Sequence, residues 1–126
     1  MRTLGQKRAQ FALEKVMGIS SDLKDKFKTF SAGAPSMILQ NGFGQALAFW
    51  ASKQDSKPEC GAMLDIIREW LCYDNDDIHN SFVRRTQAHS EFFEAISRMD
   101  QSEYLAAQKE TIALLEWVKR FANADL

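Results

Sequence analysis

Cysteine is scarce in this chain: Cys60 and Cys72 are too few for a disulfide scaffold, and no Cys-x-x-Cys pair occurs. Reduced, packed thiols in a cytoplasmic protein are the expected state. Histidine is equally scarce. His79 and His89 have no cysteine or carboxylate at ligand spacing, so nothing resembles a zinc site. No apolar run approaches the ~18 residues of a membrane span. Met1 to Gln10 carries Arg2, Lys7 and Arg8 with no apolar signal core behind them, so no secretion signal is expected. No segment alternates with period two, which argues against strands. Gly42-Phe43-Gly44 lacks the continuation and the preceding strand of a phosphate-binding loop, and reads as a joint between helices. No serine sits in a nucleophile elbow. An enzyme is therefore not expected, nor a metal or cofactor, although groups dispersed along the chain could still converge.

What is present is one domain's worth of amphipathic helix. A chain of 126 residues with 45% hydrophobic and 26% charged residues suits a single globular domain spanning 1–126. At this size roughly 65–70% of the unfolded chain's surface is buried, enough for one core. The periodicity predicts an all-α bundle of six or seven mostly antiparallel helices with short loops. They fall near 2–17, 20–30, 34–42, 43–54, 58–72, 77–99 and 101–122. Ser20 or Ser21 can cap the second, and Pro35 suits the first turn of the third. Ser56 and Glu59 fit a capping box with Pro58 in the first turn, and Asp100 with Glu103 repeats that spacing. Gly42 suits a helix end with positive φ. The segment 43–54 is apolar around most of its circumference, which predicts either a central position in the core, the favoured reading, or partial cover by a partner. Ile78, Phe82, His89, Phe92, Ile96 and Met99 form one stripe of the predicted long helix 77–99. His89 there reads as a core or rim residue and His79 as solvated. Asp74, Asp76 and Asp77 read as that helix's acidic start rather than a metal site.

The last segment carries the densest signal. Tyr104, Ala107, Thr111, Leu114, Leu115, Val118, Phe121 and Ala122 share one side, and the chain closes on Trp117-Val-Lys-Arg-Phe-Ala122. That crowding of aromatics and cations is more than a core helix needs and marks a contact surface.

Charge is unevenly divided. Residues 1–57 hold nine Lys/Arg and four Asp/Glu, a balance of +5; residues 58–126 hold seven and thirteen, a balance of −6; together they give the net charge of −1. A basic side facing a polyanion and an acidic side facing a protein would use such polarity; solvated helix faces would also produce it. Lys24, Lys26 and Lys28 spread around their helix and read as solvated. Arg84 and Arg85 sit mid-way along the predicted long helix, with Arg85 near its apolar stripe, pairing with an acid or facing an interface. Lys53, Lys119 and Arg120 end their helices, where a cation also suits the dipole, and Glu116 with Arg120 is an ordinary i,i+4 pair.

Three stretches together resemble a known family: Arg8-Ala-Gln-Phe-Ala12, Asn41-Gly-Phe-Gly-Gln-Ala-Leu-Ala-Phe-Trp-Ala-Ser-Lys53, and Tyr104 to Ala122. Their order and spacing are similar to the small α-helical subunit of the Cmr complex, the type III-B CRISPR RNA-guided effector. Ile67-x-x-Trp70-Leu71 matches that family's middle helix. Two positions depart from the pattern: Leu105 stands where an arginine often follows the tyrosine, and Phe11 where a tyrosine is expected. The resemblance implies a non-catalytic subunit. It would stack with copies of itself in a short filament beside the backbone subunits and the large subunit, along the duplex of guide RNA and target RNA. Lys53, Lys119 and Arg120 are then the first candidates for phosphate contacts, followed on charge alone by Arg8, Arg84 and Lys24. Phe43, Trp50 and Trp117 are candidate protein-interface residues, with core packing the competing reading for all three. A stand-alone helical adaptor that binds protein and no nucleic acid is the alternative.

Overall fold

Thr3 opens the first helix with a complete capping box. Its hydroxyl accepts from the Gln6 N–H at 3.1 Å while Gln6 Oε1 accepts from the Thr3 N–H at 2.8 Å. The computed structural model describes residues 1–74, 77–84, 86, 88–124 and 126. Six helices are found among them: α1 (Leu4–Met17), α2 (Lys24–Asn41), α3 (Phe43–Lys53), α4 (Pro58–Leu71), α5 (His89–Ser97) and α6 (Gln101–Ala122). The sole β feature among the described residues is an isolated bridge between Asp74 and His79. The all-α expectation is therefore met.

The long α6 packs along α1 on one side and α2 on another, while α3 lies against α2, α4 and α5. Its buried residues are Ala107, Glu110, Thr111, Leu114, Leu115 and Val118: five of the predicted stripe plus one carboxylate, while Tyr104, Phe121 and Ala122 of that stripe are partly buried. Trp50, Trp70, Phe27, Phe43 and Phe92 are the bulkiest fully buried side chains. Phe11 lies tilted against Trp70 with ring centres 4.8 Å apart and meets Tyr73 edge-on at 5.3 Å, so the apolar ring suits the packing there.

Several local expectations are corrected. The predicted helices 20–30 and 34–42 are one helix, with Pro35 inside it rather than in a first turn. Phe27, Ser31, Ala34 and Ile38 form a buried stripe across the expected break, so tertiary packing carries the helix past a residue that cannot donate to the Ser31 carbonyl. Neither Ser20 nor Ser21 caps it; the N-cap is Leu23, with no side-chain bond. Lys57, not Ser56, is the N-cap of α4, and Ser56 Oγ donates to the Lys53 carbonyl instead. Pro58 in the first turn and the Asp100 cap, which accepts from the Glu103 N–H at 2.8 Å, are as expected. The fold's one positive-φ residue among those described is Gly42, at φ 88.

Among its described residues, the predicted helix 77–99 is helical only from His89 to Ser97. Asn, Asp, Ser and Thr crowd its first half and compete for backbone groups rather than propagate a helix. The segment folds back over the end of α4 instead. Asn80 Nδ2 donates to the Trp70 carbonyl at 2.7 Å, and the Val83 N–H to that of Leu71 at 3.2 Å. Ile78 and Val83 are buried there all the same. Asp77 does not start a helix but binds Arg2 and Lys7. Those two cations hold its carboxyl below the usual aspartate range. Asp76 and Arg85 lie outside the described residues. His89 is a rim residue bonded to Asp65 at 3.0 Å, and His79 is exposed and bonded to Asp74 at 2.7 Å.

Candidate nucleic-acid interface

Helix directions decide which cations meet. Gly42 reverses the chain so that α3 runs back along α2, with the Phe30 and Trp50 rings edge to face at 5.2 Å. Lys53 lies three residues past Trp50, about 4.5 Å further along the axis. It therefore comes level with the first turns of α2. Helix α6 begins beside the Gly42 joint. There Tyr104 Oη accepts from the Gly44 N–H at 2.7 Å and Gln108 Oε1 from the Phe43 N–H at 3.2 Å. It finishes beside the start of α2, where Asn123 Nδ2 donates to the Lys28 carbonyl at 3.4 Å. One end of the bundle thus gathers Lys24, Lys26 and Lys28 from α2, Lys53 from α3, and Lys119 and Arg120 from α6.

Local chemistry puts these cations there. The last turns of α3 and α6 present carbonyl ends whose negative dipole favours positive charge. Lys119 and Arg120 share the Glu116 carboxylate at 3.6 and 4.0 Å, loose surface contacts that are easily exchanged for a phosphate. Lys53 lies 5.6 Å from the centre of the Phe49 ring. Among the described residues Lys24, Lys28 and Lys53 form no ion pair. Asp22, Asp25, Asp55 and Glu116 interleave with the cations, so the local field is positive but moderate. Lys24 and Lys28 also rim a groove of ≈ 190 Å³ walled by Val16, Met17, Phe27 and Phe121.

The other candidates lie elsewhere. Arg8 is turned inward: its Nε and Nη2 donate to Glu110 at 2.5 and 2.8 Å, which raises its pKa above the ordinary arginine value. Arg84 is an exposed residue of the segment after α4, next to Val83, whereas Lys53 precedes the start of α4. The 14 residues of α4 separate the two by about 21 Å. Phe43 and Trp50 are fully buried, so both are core residues in this fold. Trp117 is 36% exposed and stacks on Phe121 at 5.5 Å. The central position expected for the 43–54 segment holds for Phe43, Ala46, Leu47 and Trp50 but not for Ala48 and Phe49, the latter 51% exposed.

Glu110 is the residue that the sequence pattern passes over. It is 7% exposed and accepts from both Arg8 and Trp70 Nε1, the latter at 2.9 Å. It ties α1, α4 and α6 into one unit. Its signal was available: a carboxylate one residue before Thr111 falls near the buried stripe, where burial demands partners.

The fold and this end define a small all-α domain with a cationic face, and among the described residues no three His, Cys, Asp or Glu could jointly hold a metal ion. The stretches that carry the family resemblance are those that bond to one another here: Arg8 with Glu110, Gly44 with Tyr104, Trp70 with Glu110. The chain belongs to the CRISPR-associated protein family Cas_Cmr5, which it matches over residues 4–125. It is 30% identical over 125 residues to the CRISPR system Cmr subunit Cmr5 of Thermus thermophilus, covering 98% of this chain and 96% of that one. The resemblance to the Cmr small subunit is thereby borne out.

Proposed function

We propose that this chain is a non-catalytic structural subunit of a type III-B Cmr RNA-guided ribonucleoprotein in antiviral defence. Its cationic end would lie against the phosphate backbone of the guide–target RNA duplex. The supporting argument is that the helix directions bring the ends carrying Lys24, Lys53, Lys119 and Arg120 to one end of the bundle. Such cations neutralise phosphates without reading bases, so sequence selection is left to base pairing. Arg8 serves the fold in this reading, and Arg84 belongs to a separate surface.

Protein neighbours, whether backbone subunits, the large subunit or further copies of this chain, are assigned to the outer face of α3. Phe49 is exposed there beside a groove of ≈ 400 Å³ formed with Met37, Asn41 and Gln45. Several copies side by side raise the effective concentration of phosphate contacts, whereas one free copy binds RNA weakly. Lys53→Ala, Lys119→Ala and Arg120→Ala combined are expected to weaken target engagement by the assembled complex. Intact assembly and unchanged engagement would reject the assignment. The adaptor alternative is favoured by that same apolar face. A tagged copy expressed with its neighbouring subunits should recover guide RNA; recovery of protein alone would favour the adaptor.

A further inference from the structure

We propose that Trp117 is a stacking shelf for an unpaired nucleobase, so that the cationic end accepts single-stranded RNA as well as duplex backbone. The proposal rests on the reading of that end as a phosphate contact. Trp117 and Phe121 are one helical turn apart with rings 5.5 Å between centres and 27° between planes. Phe121 is wedged into the groove between the ends of α1 and α2, and Trp117, braced on it, keeps 36% of its surface exposed. A rigid indole with an open surface is what a base stacks on.

Charge selects the occupant. Arg120 is the i+3 neighbour of Trp117 on the same helix surface, and Lys24 and Lys28 share the groove with Phe121. An aromatic platform flanked by cations suits a strand whose bases are free and whose phosphates need neutralising. A base held in a duplex has both faces covered by its neighbours and cannot use the shelf.

The test uses the full chain at low salt. Trp50 and Trp70 are fully buried, so Trp117 is the tryptophan whose emission an external base can reach. Oligouridine RNA is expected to quench that emission. An abasic ribose-phosphate strand of equal length should bind with similar salt dependence and no quench, and a duplex of equal length likewise. Trp117→Leu should lower oligouridine affinity about tenfold, to the level of the abasic strand, with Trp117→Phe in between. Comparing wild-type protein on the two strands needs no variant to fold. Equal affinity for base-bearing and abasic strands, or no quench by oligouridine, would overturn the shelf. So would shielding of Trp117 by other Cmr subunits without RNA, which would make it a protein contact. The triple alanine variant separates the two readings: loss of abasic binding there, beside equal binding of both strands by wild type, removes the shelf and keeps the phosphate contact.

Discussion

Replacing Glu110 with alanine should be among the most damaging single changes in this domain. The carboxylate is 7% exposed and accepts from two groups with no other bond among the described residues: the Arg8 guanidinium, whose side chain is 21% exposed, and the indole N–H of Trp70. Removing it strands a largely buried charge, which costs about 3–5 kcal/mol in fully buried pairs and less where water reaches, as it does at Arg8. It also leaves a buried N–H unpaired, worth about 1–3 kcal/mol. Together roughly 3–5 kcal/mol is expected, a large part of the ~5–15 kcal/mol that holds a domain folded. The melting temperature should fall by roughly 10–20 °C. Urea unfolding of the isolated chain measures the loss. Glu110→Gln keeps an acceptor for Trp70 and should lose about half as much. In a double-mutant cycle, Arg8→Ala with Glu110→Ala should cost less than the two added, with a coupling of about 1–3 kcal/mol. A loss below ~1 kcal/mol for Glu110→Ala, or strict additivity with Arg8→Ala, would refute the keystone role.

Gly42→Ala forces a Cβ onto a residue at φ 88 and ψ 155, and should cost about 1–3 kcal/mol in the same unfolding assay although nothing crowds the site. Tyr104→Phe removes the acceptor for the Gly44 N–H and should cost about 1 kcal/mol, with amide exchange at Gly44 rising specifically. Asp77 is held below the usual aspartate range by Arg2 and then Lys7. A depressed folded-state value means that this tie is present above the unfolded value and is lost as pH falls through the folded one. Arg2→Ala should move the Asp77 titration up toward the usual aspartate value by NMR; an unmoved titration would contradict the pairing.

Much of this fold could be read from periodicity. The last helix shows most of its buried face in its spacing, Glu110 excepted, and Asp100 and Gly42 mark real ends, because caps and positive φ are decided locally. The misreadings came where tertiary contacts override local preference. Pro35 looked like a start, yet the stripe Phe27, Ser31, Ala34 and Ile38 gains more from one continuous helix. The stripe from Ile78 to Met99 looked helical because apolar spacing alone does not reveal that Asn80 and Val83 bond back to α4. At the candidate site, Lys53, Lys119 and Arg120 were visible as helix-end cations, but their meeting depends on Gly42 and Tyr104 setting helix direction. Arg8, Phe43 and Trp50 are candidates by residue type, and residue type does not report burial.

The most direct measurement is the salt dependence of target RNA binding by the reconstituted Cmr complex, with wild-type chain and with Lys53→Ala, Lys119→Ala and Arg120→Ala combined. Each lost phosphate contact should flatten the slope of log affinity against log salt by about 0.7–0.9, so a flattening of about 2–3 per engaged copy is expected. Parallel lines of equal affinity, from complexes of equal composition, would show that this end of the bundle never meets the RNA.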